Sequence, residues 1–281
     1  MPLTDPPALD TRPLFRPVAN ELLQLLRRLE AADWNRPTLA GKWTVRDVVA
    51  HLIDGALRRV SFHRDRMLPP PPPAPIADER DFVRFINQLN ADWVAAARRF
   101  SPAVLVELFA LAGDALSDWF ERLPLDAPAL FPVSWAGETL SAGWFDVGRE
   151  FTELWHHQQQ IRVAVGAPSL EDPGYLNAVL AIAMRGLPHA FRGTHATAGQ
   201  TILVQVSGAA GSMWTLLRDD ARWTLHAGAP SDPTTTIRLD GDTAWRLLFN
   251  ALSTSDAERQ VEISGDRSLA ASFLRARSVI V

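Results

Sequence analysis

Between Phe15 and Leu29 the apolar residues Phe15, Val18, Leu22, Leu25, Leu26 and Leu29 follow the three-and-four spacing of an amphipathic helix. The four prolines before it, within residues 1–13, favour an extended arm. A second helix is predicted from Val45 to about Met67, with Val48, Val49, Leu52 and Ile53 around His51. Thr44 suits its N-cap, and Asp47, three residues on, completes a variant of the capping box. Pro69 to Pro73, with Pro75, force a polyproline-like crossing to a helix over about 78–100. Ser101 followed by Pro102 then reads as a cap and a first-turn proline, opening a helix to about Leu123. Pro124 to Thr139 is a loop, and Ser141 is placed to cap a long helix ending near Gly166. Four long helices of this kind suit an antiparallel bundle, with shorter helical segments following between Tyr175 and Phe191.

The pattern changes after about residue 195. Thr201 to Val206, Met213 to Leu217, Trp223 to His226 and Thr235 to Leu239 are short, alternating or β-branched, and separated by Gly, Asp or Pro. They read as antiparallel strands. Asp242 to Leu252 and Ser268 to Ala276 read as helices, with Val261 to Ser264 as a strand between them. The expected organisation is an all-α domain over 1–195 and a smaller α+β domain over 196–281.

Composition narrows the partners. Of the 281 residues, 47% are hydrophobic and 21% charged, as expected for a globular chain in water. The net charge of −4, without a basic run, argues against nucleic acid or an anionic membrane as partner. No apolar run approaches the roughly 20 residues of a membrane span. The N-terminus lacks a charged-then-apolar secretory pattern, so a cytoplasmic protein is expected, as monomer or homodimer. Cysteine is absent, which removes disulfides, thiolate ligands and a cysteine nucleophile. A bound metal must be held by His, Asp or Glu.

Residues 149–162, REFTELWHHQQQIR, contain such ligands. Glu153 and His157 are one helical turn apart, within about 40° of each other, and so can grip one divalent cation. His156 lies on the other side of Glu153, and spacing alone does not choose between the two histidines. His51, on another helix, is the candidate third ligand. Bundles build metal sites from inward-facing residues on separate helices, and three protein ligands with an open position mark a reactive metal.

The segment Gly41-Lys42-Trp43-Thr44-Val45-Arg46-Asp47-Val48-Val49-Ala50-His51-Leu52 resembles the opening motif of the DinB-like, mycothiol-dependent maleylpyruvate isomerase superfamily. Glu153 to Arg162 resembles its second motif, with a Glu and a His four apart followed by Ile-Arg. The resemblance implies a DinB-like four-helix bundle with His51, Glu153 and His157 as ligands of one divalent metal, which sets His156 aside. The family pattern often has Asp where this chain has Gln160, so the support of the ligands is open at that position. The resemblance extends to the C-terminal domain, implying a sterol-carrier-protein-like α+β fold that supplies an arginine. Arg246, Arg259, Arg267 and Arg275 are all candidates. Trp43, Trp144 and Trp155 are candidates for a pocket wall or for the core.

The function so implied is a metal- and thiol-dependent isomerase or S-transferase acting on a small electrophile. A metal-activated thiolate, brought in as a cofactor such as mycothiol, would be the nucleophile. Zinc suits two nitrogens, one oxygen and an open position; nickel, iron or manganese also accept such ligands. A metal-dependent hydrolase using bound hydroxide would share the ligands. A non-enzymatic binding protein would instead hold an apolar ligand in the second domain.

Overall fold

A computed structural model describes residues 2–170 and 172–280. Its chain order is α1 (Arg12–Leu26), α2 (Val45–Arg59), α3 (Glu79–Ala97), α4 (Pro102–Phe120), α5 (Gly143–Val165), α6 (Pro173–Ala183) and α7 (Leu187–Ala190). Then come β1 (Thr201–Ser207), β2 (Ser212–Arg218), β3 (Trp223–Ala227), β4 (Thr235–Asp240), α8 (Gly241–Leu248), α9 (Thr254–Gln260), β5 (Glu262–Gly265) and α10 (Arg267–Arg275). The fold is a helical N-terminal region followed by a C-terminal α+β domain. No helix among the described residues is long and apolar enough to cross a membrane.

Contacts divide the chain into two compact units. One holds residues 11–125 and 153–170, and so contains α1 to α4 and the C-terminal part of α5. In α1 the buried residues are Phe15, Val18, Leu22 and Leu26, the stripe that the sequence pattern predicts, although the helix begins three residues earlier than expected. Phe15 meets Phe120 of α4 edge-on, with ring centroids 5.0 Å apart. Arg12 donates to the carbonyl of Leu123, beyond the end of α4. In α4, Ser101 accepts from the Val104 amide and Pro102 occupies the first turn, as expected. Helix α5 ends at Gly166, whose φ of 68° is left-handed and therefore suits a residue without Cβ.

Helix α2 positions half of the site. It buries Val45, Val48, Val49, Ile53 and Ala56. Thr44 and Asp47 form the capping box at its start, and both the amide and the hydroxyl of Thr44 donate to Asp47 Oδ2 at 3.1 Å. Arg98, just past α3, donates to the two Asp47 oxygens at 3.0 Å each. Trp93 Nε1 donates to the carbonyl of Ala50. These bonds tie α2 to the α3 segment on the side that few apolar residues cover, since α3 buries only Asn90, Val94 and Ala97. The expected extension of α2 towards Met67 takes the form of a single π-helical turn over Val60–Arg64.

The other unit holds the first ten residues, residues 126–152 and the chain from 172 onward. Val133, Trp135, Phe145 and Ile182 form one of its buried clusters. Ser141 was expected to cap α5; its hydroxyl instead accepts from the Val133 amide and donates to Glu138, holding the preceding loop. The sheet has the order β3-β2-β1-β4-β5. The expectation of antiparallel strands holds for three pairings and fails for β1 with β4, which run parallel. The connection after β3 carries the chain back to Thr234, which meets Thr201 at the start of β1. Alternation within a strand says which residues face inward; it carries no information on strand direction. Trp245 of α8 and Phe273 of α10 are fully buried in this unit. The N-terminal arm is extended as expected, and Thr4 exchanges two backbone hydrogen bonds with Ala227 of β3.

Burial works against ionisation of Asp47, but the hydrogen bonds from Arg98 and Thr44 outweigh it and hold the carboxyl below the usual range. A carboxylate lowered in this way adds stability above its unfolded pKa, and that stability is lost as pH falls through the folded value. Asp47→Ala is therefore expected to lower unfolding free energy by about 2 kcal/mol at pH 7. In urea titrations the gap from wild type should begin to narrow below about pH 4, where the unfolded chain takes up a proton that the native carboxylate still resists, and should level off once pH has passed the lowered native value.

Candidate metal centre

His51 sits in the second turn of α2, downstream of the Thr44–Asp47 cap, while Glu153 and His157 occupy successive turns of α5. The structure brings the three together: one ligand atom from each lies within 4.8 Å of the others. His157 Nε2 is 3.4 Å from Glu153 Oε2, and His51 Nε2 is 3.8 Å from the same oxygen. Both distances exceed a good hydrogen bond. They approach the roughly 3.3 Å that separates two ligand atoms on a tetrahedral zinc with bonds near 2.0–2.1 Å. The donor set therefore fits a divalent cation of that size.

Protonation also fits. His157 Nδ1 is 2.7 Å from Gln160 Oε1, one turn further along α5. A carbonyl oxygen only accepts, so Nδ1 carries a proton in this contact and Nε2 is the ring atom directed to Glu153. Gln160 thus does for His157 what a carboxylate does for many metal-ligating histidines, without adding charge. Nδ1 of His51 is buried with no hydrogen-bond partner. Burial lowers the His51 pKa, and the charges of His157 and Arg58 lower it further against the opposing pull of Glu153. Burial disfavours the Glu153 carboxylate, yet His157 and His51 hold it well below the usual range. A neutral His51 and an ionised Glu153 are protonation states that metal binding requires.

Trp43 forms a wall of the site, its ring centroid 4.9 Å from that of His51 and 6.3 Å from that of His157. Trp155 is fully buried, and Trp144 stacks on Phe145 and under Arg185, so those two belong to packing. His156 is buried beside His157, with ring centroids 4.1 Å apart, and is not in the three-residue cluster. Arg162 pairs with Glu21 and donates to the Pro168 carbonyl. Of the C-terminal arginines, Arg246 pairs with Asp242 and stacks on Trp245, and Arg259 pairs with Asp256. Arg267 and Arg275 are exposed. Sequence reasoning passed over Asp54 and Arg58, which follow His51 on α2 and pair with each other at 3.0 Å. Their spacing of three and seven residues from His51 was the available signal.

The family described as the mycothiol maleylpyruvate isomerase N-terminal domain matches residues 15–162. No curated protein sequence matches the chain. Among solved structures it is similar to a mycothiol-dependent maleylpyruvate isomerase, with a TM-score of 0.55 at 14% identity over 90% of this chain and 91% of that one. It is equally similar to a histidine-to-alanine mutant of such an isomerase, with a TM-score of 0.55 at 13% identity and the same coverage. At these identities the structural likeness is one of fold.

Zinc or cobalt(II) added to the purified protein is expected to bind one per chain, with His51→Ala or His157→Ala reducing this to near zero. Gln160→Leu removes the acceptor that fixes the His157 tautomer and is expected to weaken binding about 10- to 100-fold. Chelator competition and the visible absorption of the cobalt form measure both effects. His156→Ala should still bind one ion.

Proposed function

The chain belongs to the mycothiol maleylpyruvate isomerase N-terminal domain family, and from that premise we propose that it is a thiol-dependent isomerase or S-transferase for a small electrophile, with His51, Glu153 and His157 as its metal ligands. The observation that supports this most is the approach of two imidazole Nε2 atoms to one carboxylate oxygen, within the segment that carries the family match. A divalent ion there, zinc by the donor set, would supply a net charge near +1 that lowers the pKa of a thiol by several units.

The chain's own residues prepare that chemistry. Gln160 holds the His157 proton on Nδ1, away from the open face. Trp43 covers one side of His51. The chain contains no cysteine, so no thiol of its own competes for the position, which is compatible with a small-molecule thiol cofactor such as mycothiol. Isomerisation then needs only reversible addition: an S–C bond forms as the C=C π pair moves onto the conjugated carbonyl as an enolate, the adduct rotates about the resulting single bond, and the C=C bond re-forms as the S–C bond breaks and the thiolate leaves. In this reading residues 1–195 form the metal-binding domain and 196–281 the accompanying α+β domain.

The test is turnover of an activated cis-alkene acid by the zinc-loaded protein with and without mycothiol or a simpler thiol. Turnover is expected only with thiol and is expected to fall at least 100-fold in Glu153→Gln. Hydrolysis of model esters at equal rates with and without thiol would instead identify a hydrolase that uses the same ligands.

A further inference from the structure

Between α2 and α3 the chain runs through Arg66-Met67-Leu68, the five consecutive prolines Pro69 to Pro73, Ala74 and Pro75. Every residue from 64 to 80 is exposed, Leu68 at 87% and Met67 at 53% of their surface. The ends of this segment are held. Arg66 has a left-handed backbone, with φ 57°, and the Met67 amide donates to the Ser61 carbonyl, closing the π-helical turn. At the other end the Ala77 amide donates to Asp81 of α3, and Asp78 caps that helix. Between these anchors proline sets the shape. Each of Pro69 to Pro72 has φ fixed by its own ring and is kept out of the α region by the proline that follows. Residues 68–73 therefore form a polyproline II rod, rising about 3.1 Å per residue without internal hydrogen bonds. It ends at a bend over residues 73–74.

A spacer does not account for this segment. Connections between packed helices need about two to eight residues, whereas here the whole of 65–78 lies outside helix. Met67, Leu68 and the prolines also form one contiguous apolar strip, and such strips mark interaction sites. The rod is ordered before anything binds it, so a partner gains its contacts with little loss of conformational entropy. Three residues make one turn. Leu68 with Pro69 and Pro71 with Pro72 therefore present two equivalent ridges on one side, and Pro70 and Pro73 lie on the opposite edge. Arg66 is the one charged residue from 66 to 77. Arg64 pairs with Asp65, whereas the Arg66 side chain makes no ion pair among the described residues. A cation at one end gives a direction to a rod whose ridges read alike both ways. A groove that reads a tyrosine after the prolines is excluded, because the chain's single tyrosine is Tyr175. We propose that Arg66-x-Leu68-Pro69-x-Pro71-Pro72 is a docking ligand for a protein module of the SH3 type. The partner surface has two aromatic-lined grooves, one for Leu68-Pro69 and one for Pro71-Pro72, and an acidic pocket for Arg66. This docking is independent of the metal centre and of the function proposed above.

The probe is an isolated SH3 domain whose ligands carry arginine before the Pro-x-x-Pro core, titrated calorimetrically into the full-length protein. Wild type is expected to bind one domain per chain, saturably. Leu68→Ser, Pro72→Ala and Arg66→Glu are each expected to weaken binding at least tenfold. Pro70→Ala, on the edge facing away from the grooves, should stay within about threefold of wild type. Added salt should weaken wild type more than Arg66→Ala, because only the former places a charge in the acidic pocket. Urea midpoints of all the variants should match wild type, since the substituted side chains are exposed, so a loss of binding is not a loss of fold. No binding by wild type, equal affinity of wild type and Arg66→Glu, or equal losses in Pro70→Ala and Pro72→Ala overturns the proposal. So does tighter binding of a WW domain offered in place of the SH3 domain.

Discussion

Glu153 keeps its charge where burial opposes it, and His157 and His51, whose Nε2 atoms lie 3.4 and 3.8 Å from one of its oxygens, hold it ionised. This constraint organises the helical unit. A buried carboxylate needs positive charge or donated hydrogen bonds nearby. His51 is itself held towards its neutral form by burial, so it is a poor permanent counter-charge. Under the proposed function a cation between the three groups would supply that charge, and their spacing, longer than good hydrogen bonds, is compatible with it.

Helix α2 connects stability to this chemistry. Its first turn is fixed by Thr44, Asp47 and Arg98, its second carries His51, and its last carries Arg58. A shift of the cap moves the whole face, because an α-helix transmits displacement along its axis with little bending over so short a length. The polar ties to the α3 segment through Arg98, Trp93 and Asn90 run along the helix from the cap to Arg58. They fix the rotation of α2 where apolar burial is thin. The same ties that stabilise the fold therefore set the direction in which His51 points.

What the sequence made legible is what depends on local periodicity. Thr44 with Asp47 and Ser101 with Pro102 announced their helices, and the four-residue step from Glu153 to His157 placed two ligand-type side chains on one face. The likeness of two segments to one family joined His51 to them across a hundred residues, a link that no periodicity supplies. Long-range pairing stayed hidden elsewhere. The parallel alliance of β1 and β4 depends on the path of the loop between β3 and β4, and Ser141 was drawn from its expected cap by Val133 and Glu138. Asn90 meets Arg58 only because two helices pack side by side, and the partner of Gln160 depends on a rotamer.

Gln160 also bears on how strongly the site can activate a ligand. With an acidic residue in its place, His157 would share its Nδ1 proton with a carboxylate, gaining basicity and bringing a second negative charge within a few ångströms of the centre. A neutral amide orients the ring equally well and leaves the charge of the ligand set at −1. A divalent ion held by such a set would keep more of its positive charge, would draw thiols more strongly into their ionised form and would hold the resulting thiolate more tightly. Tighter holding makes the sulfur less nucleophilic, since basicity and reactivity fall together. In the function proposed above, the amide at this position would therefore favour a fully ionised, less reactive thiolate over a partly ionised, more reactive one, a balance that would suit substrates whose double bond is already activated by a carbonyl group.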